Sequence, residues 1–290
     1  MKMQNRAGWI SGFIGVLIFS GSLPATRLAV AQIDPLFLTV LRASVAGLIG
    51  GGLLLAFRVK LPARADLMSL ALVSAGVVVG FPLFSGLALQ YVTSAHALVF
   101  IGLLPLSTAI FAVLRGDSNP QWRFWAFSLA GSMAVALFAL SKDQSGGAVS
   151  LYGDFMMLLA IIVCGYGYAE GGRLSRNLGG WQVICWALVL ALPMMLVLTV
   201  WLQPESFVGI AAPAWAGVVY VTLFSMLIGF FFWYRGLALG GAAAVGQLQL
   251  LQPFFGLALA AYILGEPVSM AMIAVASVVV ICVAGAKRYA

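Results

Sequence analysis

Few side chains in this 290-residue sequence can do chemistry, and most of those sit inside long apolar runs. His96 is the lone histidine and shares a helical face with Phe100 and Ser107. Gln247, Gln249 and Gln252 crowd one stretch beside Pro253. Tyr166 and Tyr168, Ser20 and Ser22, and Trp233 bring hydrogen-bonding groups to three further runs, while Arg42 brings charge to another and Asp154 to the run of the two tyrosines. Intramembrane catalysis would need a His/Glu metal pair, an Asp-rich diphosphate motif or a Ser–His dyad. The sequence spells none of these. Ser94 and His96 are two apart, which turns them to different sides of a helix. Cys164, Cys185 and Cys282 lie singly in apolar runs and read as buried small hydrophobes. No catalytic residue, metal or cofactor is expected. The chemistry that remains is binding, by amides, hydroxyls, rings and an occasional charge.

These groups must be positioned by helices in lipid. Hydrophobic residues make up 63% of the chain and charged residues 8%, against about a quarter charged in soluble proteins. No water-soluble core hides that much apolar surface. Crossing the hydrocarbon takes roughly 20 apolar residues. Runs of that length fall at 8–30, 35–57, 67–90, 93–114, 122–141, 150–171, 180–201, 213–236, 242–264 and 267–286. The expected fold is an all-α membrane protein of ten transmembrane helices. Lys2 and Arg6 followed by an apolar run and Ala29-Val30-Ala31 resemble a cleavable leader, but the run is long enough to span and is expected to be the first helix.

Charge tests that count. Starting inside, alternate loops hold Lys2 and Arg6; Arg58, Lys60 and Arg64; Arg115 and Arg123; Arg173 and Arg176; Arg235; Lys287 and Arg288, twelve of the fifteen basic residues. Opposite loops hold Lys142 with Asp34, Asp143, Glu205 and Glu266. The positive-inside rule then places both termini in the cytoplasm of a bacterial inner membrane. The net charge of +7 thus reflects orientation, and no nucleic-acid partner is expected. Trp9, Trp122, Trp125, Trp181, Trp201 and Trp215 fall near span ends, as interfacial anchors do.

The halves echo each other. Gly86-Leu87-Ala88-Leu89 recurs as Gly236-Leu237-Ala238-Leu239, Pro105 as Pro253, Gly80-Phe81 as Gly229-Phe230, and Arg115-Gly116-Asp117 as Leu264-Gly265-Glu266. Five spans per half is an odd number, so the second half must enter from the opposite side. Two inverted five-helix repeats, 1–145 and 146–290, are expected, the plan of many secondary transporters. Gly80, Pro82, Gly86 and Pro105, matched by Gly229, Gly236, Gly246 and Pro253, are the expected hinges or helix breaks flanking a midplane path.

Phe19 to Arg27, Asp34-Pro35, Leu41-Arg42-Ala43, Pro253 and Gly265-Glu266 together resemble EamA-type members of the drug/metabolite transporter superfamily, and among these the YddG group of aromatic amino acid exporters. The resemblance implies a central cavity enclosed by spans one, three, four, six, eight and nine. It also implies export of amino-acid-like solutes by alternating access, by a monomer or homodimer.

Roles stay divided at several positions. Arg42 either neutralises a substrate carboxylate or pairs with an acid such as Asp154, the structural role being favoured. His96 either contacts substrate or is a neutral structural histidine. The glutamines glue helices or line the cavity. Asp34-Pro35 and Glu266-Pro267 are each expected to start the helix that follows. The first span lacks the deep carboxylate of the proton-coupled multidrug branch, so facilitated diffusion is expected. Proton-coupled cation efflux is the alternative, and an intramembrane enzyme a weaker one.

Overall fold

A computed structural model describes residues 2–115, 121–140, 150–240 and 245–289, without the side chains of 2–5, 128, 135, 136, 138–140, 247, 283, 286 and 287. Gly116-Asp117, Lys142 and Asp143 therefore lie outside the described residues, as do the side chains of Lys2, Gln247 and Lys287. Among the described residues every regular element is a helix: α1 (Lys2–Ser20), α2 (Ser22–Val30), α3 (Pro35–Ala56), α4 (Arg64–Val73), α5 (Phe81–Ala88), α6 (Ser94–Ile101), α7 (Leu104–Leu114), α8 (Trp122–Leu140), α9 (Leu151–Leu178), α10 (Gly180–Trp201), α11 (Ala212–Val219), α12 (Gly229–Gly240), α13 (Gln252–Leu264) and α14 (Met270–Arg288). A π-helical segment, Ser74–Gly80, joins α4 to α5, and a second, Tyr220–Ile228, joins α11 to α12. A 3₁₀ turn, Gly246–Leu251, leads into α13.

Seven continuous stretches among the described residues are long and apolar enough to cross a membrane: Arg6–Val30, Pro35–Ala56, Arg64–Ala88, Ser94–Leu114, Leu151–Leu178, Gly180–Trp201 and Ala212–Gly240. Shorter apolar helices cover Leu248–Leu264 and Met270–Cys282. Leu129, Val197, Val200, Tyr262 and Ile281 stand exposed on their outer faces. Lipid, as apolar as these side chains, accepts such a surface.

Local chemistry sets most helix ends. The Asp34 carboxylate accepts from the backbone N–H groups of Leu36 and Phe37 at 2.8 and 3.0 Å, and Pro35 occupies the first turn of α3. Thr93 caps α6 through His96 N at 3.1 Å, and Ser150 caps α9 through Gly153 N at 3.1 Å. Glu266 departs from expectation. Its carboxylate serves α6, accepting from Ser94 N, Ala95 N and the Ser94 hydroxyl at 3.1, 2.8 and 2.7 Å. The helix it was expected to start begins at Met270, where Ser269 Oγ accepts from Met272 N. The sixth run also extends past its expected end at 171, because Glu170 and Arg173 satisfy each other inside the helix. It stops at Gly179, whose φ of 93° only glycine adopts readily.

The interruptions fall close to the expected places, with two corrections. Gly80 closes the first π segment and Pro82 lies in the first turn of α5. Pro105 lies in the first turn of α7 after the break at Gly102-Leu103, and Pro253 in the first turn of α13 after the 3₁₀ turn that Gly246 opens. Gly229 starts α12. Gly86 and Gly236 are packing positions within regular helix. A Cβ on Gly86 would sit 3.3 Å from Pro35, and one on Gly236 would sit 2.7 Å from the Gly12 backbone nitrogen. At the second site α1 and α12 cross backbone to backbone, as small residues allow in membranes.

Candidate functional site

Aromatic side chains from three helices converge on a buried centre. Phe19 ends α1, Tyr168 projects from the middle of α9, and Phe230 and Trp233 come from the first turns of α12. The Phe19 ring lies 5.0 Å from Phe230, 6.3 Å from Trp233 and 6.4 Å from Tyr168, centroid to centroid. Tyr168 completes the cage at 5.8 Å from both Phe230 and Trp233. The geometry is mostly edge-to-face, the arrangement that ring quadrupoles prefer.

Amides close the cage from the break between the 3₁₀ turn and α13. Gln252 Nε2 donates to the Phe19 carbonyl at 3.3 Å, and Gln249 lies beside Tyr168. Three buried polar atoms here have no partner among the described residues: Trp233 Nε1, Gln249 Nε2 and Gln252 Oε1. Each residue is at most 3% exposed. A buried polar group left unpaired costs about 1–3 kcal/mol. Two donors and one acceptor thus stand unpaired beside four rings.

At the start of α2, about one turn on from Phe19, lies a second polar group. Ser22 Oγ and Ser225 Oγ are 2.7 Å apart, and Arg42 reaches the same point from α3. Its guanidinium donates to the Val221 carbonyl at 2.9 Å and lies 3.5 Å from Ser225 Oγ. Val221 and Ser225 belong to the second π segment, the kind of irregularity that frequently marks functional sites.

Several expected contacts fall elsewhere. Arg42 and Asp154 do not meet: Asp154 Oδ1 is 2.6 Å from His96 Nε2, and both residues are buried. That pair joins the starts of α6 and α9 and takes His96 away from the aromatic centre. Phe100 packs on the His96 ring at 5.4 Å. Ser107 donates to the Ile161 carbonyl and fixes α7 against α9. Tyr166 stacks edge-on against Phe111, with the Arg115 guanidinium 5.7 Å above its ring. Ser20 bonds within its own helix, to the Val16 carbonyl. Tyr168, Trp233, Gln249 and Gln252 are brought together, whereas the contacts of His96, Phe100, Ser107, Tyr166 and Ser20 described above lie outside that group.

Sequence reasoning passed over Phe19, Phe230 and Ser225 as site residues. The available signal was position: Phe19 precedes the Gly21 kink, and Phe230 follows Gly229 at a repeated motif. Gly21 itself is dictated by a close approach, since a Cβ there would meet the Tyr220 side chain, whose hydroxyl donates to the Ile18 carbonyl at 2.8 Å.

Helices of spanning length with lipid-compatible outer faces, wrapped around a buried centre of rings and hydrogen-bonding groups, make this a multi-pass membrane protein. The EamA-like transporter family matches residues 6–140 and again 151–286. The chain belongs to that family and is a transporter. It is 64% identical, over 99% of both chains, to an uncharacterized transporter, YdeK, of Bacillus subtilis. It is 22% identical to an uncharacterized transporter of Archaeoglobus fulgidus over 87% of each chain. It is also 27% identical to an S-adenosylmethionine/S-adenosylhomocysteine transporter of Chlamydia trachomatis, over 62% of this chain and 57% of that one. A solved crystal structure superposes with a TM-score of 0.67 at 19% identity, covering 97% of this chain and 96% of the other, which establishes a shared fold.

Proposed function

We propose that the protein exports small amphipathic solutes of the amino-acid type, aromatic ones foremost, by alternating access around the cage of Phe19, Tyr168, Phe230 and Trp233. The observation that carries this reading is the set of unpartnered buried atoms on Trp233, Gln249 and Gln252 facing a ring-lined centre. Rings supply stacking surface, and the amides and indole supply the few placed polar groups that orient a ligand. The likeness to aromatic amino acid exporters agrees with that chemistry. No carboxylate is among the cage residues, which favours flux down the solute's own gradient over cation–proton exchange.

Alternating access draws on the architecture. The reading is ten spans in two inverted repeats, 1–145 and 146–290, with both termini cytoplasmic in the bacterial inner membrane. The two stretches matched by the family support it, as do π segments at corresponding places in the third and eighth spans. Packing follows the same exchange: α1 lies on α12 while α9 lies on α4, the first π segment and α5. The second span packs on the seventh, α3 on α10, and the fifth on the tenth, α8 on α14. Two halves that can trade conformations give outward- and inward-open states of similar energy.

A second reading has one observation in its favour. The chlamydial relative is named for S-adenosylmethionine and S-adenosylhomocysteine, solutes that join a planar ring to an amino-acid end, so the cage would hold the ring.

Flux of labelled tryptophan, phenylalanine, threonine, S-adenosylhomocysteine and a quaternary ammonium dye into proteoliposomes, with and without a proton gradient, tests both. Gradient-independent tryptophan flux is the expected result. Flux of the dye alone, driven only by the gradient, would replace this function with multidrug efflux.

A further inference from the structure

Arg42 is 4% exposed, in the interior of a helix of spanning length. A guanidinium cannot shed its proton, so its charge must be met by an anion or by dipoles. Among the described residues the ion pairs are His96–Asp154, Arg115–Glu170 and Arg173–Glu170. No carboxylate among the described residues pairs with Arg42. Among the described residues its hydrogen bonds run to the Val221 carbonyl and, at a long 3.5 Å, to Ser225 Oγ, and its Nε is buried without a partner there. A buried charge lacking a counter-charge destabilises a fold by several kcal/mol. Here the geometry holds the fork in place through one backbone carbonyl and leaves donors unused.

The missing anion has a natural source. Ser225 links Arg42 to Ser22, and Ser22 stands three residues beyond Phe19, about one helical turn or 5 Å along the axis. A ring seated against Phe19, Tyr168 and Trp233 would therefore place a group a few bonds away beside the guanidinium. We propose that Arg42 is the carboxylate anchor of the solute site. The solute class it selects is a planar ring joined by a short linker to a carboxylate, held by an Arg fork at one end and the cage at the other. This rests on the transport reading above and narrows it: ring-bearing amines and neutral rings would be poor solutes. A merely structural Arg42, tying α3 to the second π segment, would affect all solutes alike.

The test uses the full-length protein in proteoliposomes and three probes: tryptophan, tryptamine, which lacks the carboxylate, and indole-3-acetate, which lacks the amine. Wild type should move tryptophan and indole-3-acetate at least about tenfold faster than tryptamine, the effect of one charge-assisted contact. Arg42→Gln should erase that preference, lowering flux of both acids at least about tenfold while tryptamine changes less than about twofold. Arg42→Lys, which keeps charge but loses the fork, should fall between. Should Arg42→Gln not fold, wild-type protein in detergent still decides: both acids should raise its melting temperature and tryptamine should not. Equal loss of all three probes in Arg42→Gln, or equal thermal shifts by acid and amine, overturns the anchor while leaving transport intact. No flux and no thermal shift with any probe overturns the aromatic-solute reading and the anchor with it.

Discussion

His96 Nε2 stands 2.6 Å from Asp154 Oδ1, a buried pair that clamps the start of α6 to the start of α9. The pair joins the lone histidine to one of few acids in the chain, and Glu266 holds the same end of α6 through its first backbone N–H groups. These contacts make that end of the helix cluster polar and closed, while the centre beneath it is aromatic.

Asp154 supplies the carboxylate that the buried His96 ring contacts at 2.6 Å. Asp154→Ala is expected to destabilise the protein by about 3 kcal/mol, read as a lower melting temperature in detergent. The double variant His96→Leu/Asp154→Leu should recover most of that loss, because two apolar side chains bring no polar group that needs a partner. A double variant no better than Asp154→Ala would mean that the pair does more than neutralise itself.

Glu170 should behave as the corresponding fastening of α7 to α9. Its carboxylate, 2% exposed, accepts from Arg115 and Arg173 at 2.6 Å each. Glu170→Gln keeps the shape and removes the charge, so the end of α7 should loosen. Cys164, buried beside Tyr168, reports this directly: alkylation by a small thiol reagent should become severalfold faster than in wild type. An unchanged rate would assign Glu170 to stability alone.

Two glycine substitutions should part company. Gly236→Ala places a Cβ 2.7 Å from the Gly12 nitrogen, where only backbone can yield, and is expected to cost about 1–3 kcal/mol. Gly52→Ala meets nothing within 4 Å and should stabilise α3 by about 0.5–1 kcal/mol through helix propensity. Thermal melts of both variants measure the difference; similar melts would show that α1 and α12 can separate without penalty.

Trp233→Phe keeps a ring in the cage and removes the unpartnered indole N–H. Gln252→Leu removes the unpartnered amide oxygen and also the bond to the Phe19 carbonyl. Each should raise the KM for a transported solute by about tenfold. Trp233→Phe should leave the melting temperature near wild type and Gln252→Leu should lower it. Unaltered KM values in both would remove the cage from the transport path.

Secondary structure was largely legible because its causes are local. Asp34 before Pro35, Pro105 and Pro253 at the starts of α7 and α13, and Gly80 and Gly229 at the ends of the π segments act on their own turns. Apolar length set the spanning stretches, and the alternation of basic loops set an expectation of sidedness. Part of the centre was legible too: Tyr168, Trp233, Gln249 and Gln252 stood out as polar or amphipathic groups in lipid-compatible runs.

Partnership was not legible. Glu266 caps α6 from 171 or more residues away, Asp154 faces His96 instead of Arg42, and Arg42 reaches Val221 across 179 residues. In a soluble helix an apolar stripe announces the buried face. Here lipid is as apolar as the core, so a helix such as α10 is hydrophobic all round and its sequence does not say which side meets protein. The sequence by itself determined where the chain is helical, where those helices break and that they belong in a bilayer. Only the tertiary structure decided which faces turn inward, and so brought Phe19 and Phe230 to Trp233 and set Arg42 against the Val221 carbonyl.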